Sequence, residues 1–383
     1  MIKLVSDTID KTDIKHLVDW LSQNEIPRLT KGELTIELEE KWARKIGTKY
    51  SVFVNSGSSS ILLTLAALLQ TDRLKNKKIV VPGLSWATDV SSPMLLGYET
   101  LLCDCNLTDL SCDIDHLETL FREESPSVFI LVSPLGLVPQ MDKIVELCHT
   151  YDVILLEDVC ESMGSKFNDK YLGSFGLASF FSMYFGHHLS TIEGGFINTD
   201  DEEFYHLLLM MRSHGWGRDL PKSKQQELRT TYQSSEFDSL YNFYVPGMNL
   251  RSTDLQAFIG LRAIDKLDNY SNIRNINFNK YIELLTCNEL QLTVRETDFI
   301  SSFAIPVVSK QRNAIVDALI KEGVEVRPLI AGNMAAKPMW YLKYGKTPLK
   351  NCELINERGF YIPNHQGITV DDITKITNII NSL

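Results

Sequence analysis

Between residues 50 and 200 the chain repeats one pattern, a short apolar run followed by a stretch with helical spacing. The runs are Ser51–Asn55, Lys78–Val81, Thr100–Cys103, Ser127–Val132, Val153–Leu156, Ser179–Met183 and Gly195–Asn198. Ser58–Leu69, Ile114–Phe121 and Met141–Tyr151 carry the helical spacing between them. Runs this short and this continuously apolar read as strands covered on both faces. Alternation with helices makes the sheet mainly parallel, so an α/β unit of seven strands is expected. Ligands of such sheets sit beyond the carboxyl ends of the strands.

The pattern changes after Arg251. A helix over Ser252–Leu267 leads into a longer one, Tyr270–Leu285. Leu292–Val294, Ser301–Val308, a helix over Arg312–Glu322, Val324–Arg327 and a final helix near Val370 follow. This reads as a smaller α+β unit, which divides the chain into domains 1–250 and 251–383. The N-terminal stretch reads as a helix, Lys11–Ser22, and an extended arm around Pro27 that packs on a partner domain or subunit.

Length supports the division, because 383 residues exceed one ordinary core. The net charge of -11, with no basic run, excludes nucleic acid as a natural partner. No apolar run approaches a membrane span, and Met1–Asp7 lacks the apolar stretch of a signal peptide. A cytoplasmic protein with no membrane partner is expected. Cys103 and Cys105 form the one close cysteine pair and lack a second pair at ligand spacing, so no metal is expected.

Four signals at strand ends carry chemistry. Asn55-Ser56-Gly57-Ser58-Ser59-Ser60 joins a strand to an apolar helix; Gly57 and Ser58 could hold a phosphate on the free N–H groups there. The same residues would also serve as a plain N-cap. Trp86, in Pro82–Thr88, could stack on a heteroaromatic ring, or simply pack. Asp158 ends a strand; it could keep a pyridine nitrogen protonated, with Glu161 on the ring hydroxyl, or could cap the following turn. The fourth is Ser182…His187-His188…Gly194-Gly195, which has the layout of a segment that carries a cofactor-binding lysine. No lysine occurs between Lys170 and Lys222, and His187 stands at the lysine's place.

With these pieces in order, the chain resembles the sugar aminotransferase family of fold-type I pyridoxal-phosphate enzymes, which act on nucleotide-linked 4-ketosugars. Arg212-Ser213-His214-Gly215 and Gly247–Gln256 extend the likeness, which runs from about Lys31 to the C-terminus. The resemblance implies an aspartate-aminotransferase-like fold and a homodimer in which Asn249 reaches the neighbour's cofactor phosphate. The histidine resembles the branch that makes 3-deoxy sugars, the 3-dehydratases, as does Arg327–Asn333. Only Cys287 and Cys352 lie in the C-terminal third, so the type without an iron–sulfur cluster is the better match.

That branch implies non-covalent pyridoxal or pyridoxamine phosphate, L-glutamate to recharge it, and loss of the C3 hydroxyl from a nucleotide-linked 4-keto-6-deoxyhexose. GDP-4-keto-6-deoxymannose is the favoured substrate. His187 is expected to be the acid–base group. His188 competes for that role, but its spacing to Ser182 and Gly194 is less good. His214, Arg218 and Arg251, with His188, are candidates for contacting the substrate. Two other readings stay open: an aminotransferase using a lysine from elsewhere, such as Lys166, and an inactive cofactor-binding homologue.

Overall fold

Seven strands form one sheet in the computed structural model of the chain, which describes residues 1–383. They are β1 (Tyr50–Val54), β2 (Lys78–Pro82), β3 (Glu99–Cys103), β4 (Val128–Val132), β5 (Ile154–Asp158), β6 (Ala178–Ser182) and β7 (Gly195–Thr199). Their order across the sheet is β1-β7-β6-β5-β4-β2-β3. β2 through β6 are mutually parallel, and β7 runs antiparallel to both neighbours, β1 and β6. The continuous apolar runs are explained: β4, β6 and β7 are buried along their whole length. The α/β expectation holds.

Several helices owe their ends to residues far along the chain. The helix Glu33–Ile46 starts at Gly32, which has no side chain to cap it. Asp254 supplies the cap, accepting N–H bonds from Gly32 (2.7 Å) and Thr35 (3.0 Å) and the Thr35 hydroxyl (2.6 Å). Asp254 itself opens the helix Asp254–Ala263, whose start is fixed by a Thr253–Gln256 capping box. The two helices pack together, so each end is set where the other begins. Glu157 fixes a turn rather than a helix end. Its carboxylate accepts N–H bonds from Gly173, Phe175 and Gly176.

A second sheet lies in the C-terminal part. β8 (Ala304–Val308) and β9 (Arg327–Pro328) flank a central antiparallel strand, β10 (Gly359–Pro363). The expected run Leu292–Val294 is not a strand, and β10 has no counterpart in the sequence reading. The N-terminal residues join this part, with Ile2 paired to Val324. The helix Lys11–Leu21 docks through Trp20, stacked on Phe258 with centroids 4.7 Å apart.

The two parts are stitched where Trp86 lies. Leu84 pairs with Asn333, and the Met334 N–H donates to the Gly83 carbonyl at 2.8 Å. Just beyond β3, Asp104 accepts N–H bonds from Asn351 and Cys352, each 2.9 Å, and so caps the helix Lys350–Arg358. This brings Cys352 beside Cys105, with the Asp104 carboxylate in the same cluster. The carboxylate oxygens are already committed to three N–H groups, the third being Cys105 at 2.9 Å. The Cys105 contact and burial push the Cys352 thiol up. The cluster is a packed junction between the two parts of the chain.

Candidate active site

The carboxyl ends of β5 and β6 meet the start of the helix Gly57–Leu68. Ser56 caps that helix, its hydroxyl accepting from the Ser59 N–H at 3.0 Å. The N–H groups of Gly57 and Ser58 precede any intrahelical acceptor and remain free for an anion. A Cβ on Gly57 would lie 2.8 Å from the Ser182 Cβ and 3.2 Å from the Cys160 sulfur. Only glycine lets this helix end sit against β6. Gly195 has the matching role, since its Cβ would lie 2.5 Å from the Gly57 nitrogen. The two glycines of the sequence signals therefore meet in one cradle.

Ser58 is exposed, and its hydroxyl is 3.0 Å from that of Thr88. That contact joins the cradle to the helix Ala87–Leu95, whose N-cap is Trp86. Trp86 is 58% exposed, so a ring face is open to stack on a ligand. Asp158 ends β5, buried, with one oxygen accepting from the Cys160 N–H at 2.8 Å. Glu161 accepts from the Leu135 N–H at 3.0 Å. Burial first, then the charge of Asp158, raise its carboxyl to about 7.

The loop from Met183 to Gly194 is locked at its neck. The Met183 N–H donates to Gly194 (2.9 Å), and the Thr191 N–H donates back to Met183 (3.0 Å). Ile192 is held at φ +72°, a conformation costly for a β-branched side chain. The Ser190 hydroxyl accepts its N–H at 3.0 Å. This closed loop presents His187 beside Ser182. The His187 ring packs edge-on against Phe303, centroids 5.6 Å apart, and its Nδ1 is buried without a partner. Burial lowers its pKa to about 4, and the positive charge of Arg274 adds to the effect. The imidazole is neutral at neutral pH.

His188 is fully buried, and its Nε2 bonds the Ser301 carbonyl at 2.8 Å. It has no surface to offer a substrate, which corrects the expectation that it contacts one. It anchors the loop, and His187 is the less buried of the two histidines. Lys166 is also disposed of: its ammonium lies over the rings of Tyr171 (4.5 Å) and Phe299 (5.7 Å). It lines a separate cleft with Asp268 and Asn272.

The remaining candidates gather elsewhere. Arg218 and Arg251 line a polar cavity of about 460 Å³ together with Arg28, Lys31 and Trp216. The Arg218 guanidinium lies over the Trp216 ring at 4.9 Å, and His214 packs edge-on against the same ring. Asn249 is exposed, its backbone bridged to Ser213. The sequence reading missed the support beneath this region. Buried Arg212 pairs with Glu39 and with Asp219 (3.2 Å), and donates to the Phe53 carbonyl at 2.9 Å. A charged residue placed directly after the apolar run Leu207-Leu208-Leu209-Met210-Met211 was the available signal.

The donors fit a phosphorylated pyridine cofactor. There are free N–H groups and hydroxyls for a phosphate, an open indole for a ring face, and a buried carboxylate for a ring nitrogen. A second carboxyl, that of Glu161, is raised beside it.

Comparison with known proteins agrees. The profile of the DegT/DnrJ/EryC1/StrS aminotransferase family matches residues 7–381. GDP-4-keto-6-deoxy-D-mannose 3-dehydratase of Escherichia coli O55:H7 is 32% identical, with 98% of each chain covered. The enzyme of that name from Yersinia pseudotuberculosis is 33% identical over 99% of this chain and 97% of its own. A crystal structure of GDP-4-keto-6-deoxymannose-3-dehydratase with a trapped PLP-glutamate geminal diamine superposes with a TM-score of 0.89. It is 32% identical and covers 99% of this chain and 100% of its own.

Proposed function

The chain belongs to the DegT/DnrJ/EryC1/StrS aminotransferase family, and we propose that it is a 3-dehydratase of GDP-4-keto-6-deoxymannose. Non-covalent pyridoxamine phosphate is its working cofactor, and L-glutamate recharges the pyridoxal form. The observation that carries this reading is His187. An imidazole stands where family members carry an amine, next to the cradle formed by Gly57, Ser182 and Gly195.

When bound, the cofactor supplies an amine that condenses with the C4 ketone and a ring that takes up electrons. Gly57 and Ser58 hold its phosphate on their N–H groups, with the Ser58 and Ser182 hydroxyls beside them. Trp86 covers one ring face. Asp158 keeps a proton on the ring nitrogen, and Glu161 meets the ring hydroxyl. His187, neutral at rest, takes a proton from the carbon that bears the amine and delivers one to the oxygen leaving C3. Having no amine, His187 makes no covalent link to the cofactor.

The charged cavity of Arg28, Lys31, Arg218 and Arg251 suits the diphosphate of the sugar nucleotide. We take a cytoplasmic homodimer as the working unit. Trp86, Tyr184 and Phe185 stay exposed in one chain, and so does Asn249, which suits closure of the site by a neighbouring copy.

The test is to incubate the protein with pyridoxamine phosphate, L-glutamate and GDP-, CDP- or dTDP-linked 4-keto-6-deoxyhexoses, and to measure ammonia. Release is expected with the GDP-mannose-derived ketosugar. A 4-amino sugar formed without ammonia would overturn the reading.

A further inference from the structure

Asp89 is the buried acid that the mechanism above leaves without a task. It lies three residues after Trp86, in the first turn of the helix Ala87–Leu95. Its side chain is fully buried, and neither carboxyl oxygen has a hydrogen-bond partner within the protein's donors. An ionised carboxylate so placed would bear the full cost of leaving water. The side chain within hydrogen-bonding reach is a second acid, Asp158.

The surroundings provide no cation to separate the two. The helix Gly57–Leu68, packed against this one, has no ionisable side chain. The end of β5 and the turn after it contribute Asp158, Cys160 and Glu161, all acids. Lys78 and Glu99, on β2 and β3, stand at the opposite edge of the sheet, where Lys78 pairs with Glu124 at 2.6 Å. Two carboxyl groups in contact under these conditions hold one proton between them.

We infer that Asp89 is a positioning residue: it stays protonated and donates its hydrogen to Asp158, so the two acids share one negative charge aimed at the cofactor's ring nitrogen. The aim at the nitrogen rests on the reading of Asp158 given above. Burial, and then the charge of Asp158, push Asp89 well above the usual carboxylate range. The arrangement would add a second hydrogen bond to Asp158, beside the one its Oδ1 accepts from the Cys160 N–H. It would also tie the helix that begins at Trp86 to the acid behind the ring, so that stacking platform and nitrogen partner move as one.

The experiment uses the cofactor-free protein first. Wild type and Asp89→Asn are unfolded in urea at several values from pH 5 to pH 7.5. A carboxyl with a raised folded pKa gives stability that is present below its ordinary value near 3.8 and is lost as pH rises. The folding constant of wild type, relative to Asp89→Asn, is therefore expected to fall by up to tenfold per pH unit across this range. A ratio that stays constant, or rises, overturns the proposal.

Pyridoxamine phosphate affinity is the second readout. Asparagine keeps the donor, so Asp89→Asn is expected within about threefold of wild type, while Asp89→Val is expected to lose tenfold or more. Equal affinity, or equal loss, in both variants overturns the proposal. If wild type itself fails to bind the cofactor, the reading of Asp158 falls, and the shared proton is still decided by the urea ratio. Should Asp89→Asn not fold, infrared spectra of the Glu161→Gln protein at pH 8 decide instead. A protonated-carboxyl stretch is expected, and its absence refutes the shared proton.

Discussion

Replacing His187 by asparagine removes the one imidazole that the pocket can use as a proton carrier. Burial holds its pKa down at about 4, against an ordinary 6.5, on the order of 3 kcal/mol in favour of the neutral ring. At pH 7 about 99.9% of the ring is then the free base, and half is lost only near pH 4. The kcat/KM of wild type should carry an acid limb near pH 4, where an unperturbed imidazole would place it near 6.5. Glu161, raised to about 7 by burial, is present in both proteins, so the wild-type to variant ratio isolates the histidine. That ratio is expected at about 10²–10⁴ near neutrality, falling below pH 5. Ammonia release measures it, with pyridoxamine phosphate affinity as a control that stays unchanged. The sign extends to stability. A histidine with a lowered folded pKa gives stability above pH 6.5 and loses it toward pH 4, so wild type should unfold more readily in acid than the variant. A variant within tenfold of wild type, or a ratio that halves near pH 6.5, would refute the assignment.

Three other substitutions probe the cradle and its support. His187→Lys should gain a covalent link to pyridoxal phosphate, visible in the absorbance spectrum, and lose ammonia release; an unchanged spectrum would remove His187 from the cofactor. Gly57→Ala should drive a methyl against Ser182 and Cys160, costing about 1–3 kcal/mol in urea unfolding and at least tenfold in cofactor affinity. Arg212→Met should leave Glu39 buried and unpaired, with a loss of about 3–5 kcal/mol in thermal or urea unfolding.

The large sheet was legible because both its faces are covered, which writes each strand as an unbroken apolar run. Other elements lacked so plain a sign. The helix Ala87–Leu95 contains Pro93, which reads as a breaker, yet the short helix tolerates it near its end. The central strand Gly359–Pro363 follows directly on the helix Lys350–Arg358, and the lone Gly359 at the junction is the one sign of the change. Cradle residues such as Gly57, Ser182 and Gly195 could be named from order alone, because strand ends converge in this architecture. Asp89 could not. An acid in the first turn of a helix is ordinary, and only the fold sets it against Asp158. Likewise nothing in the sequence says that Asp254 closes a helix more than two hundred residues before it.

The clamp of Leu84 and Gly83 by Asn333 and Met334 has a consequence for how the protein is made. Trp86 leaves the ribosome on the order of tens of seconds before Asn333 is added, at ordinary rates of synthesis. Until then its loop has no partner strand, and the helix that Asp104 will cap does not exist. The nascent chain can build most of its parallel sheet early, but the indole platform is set only after the C-terminal part docks. Capture of the cofactor is therefore a late event in biogenesis, following the docking of Asn333 and Met334.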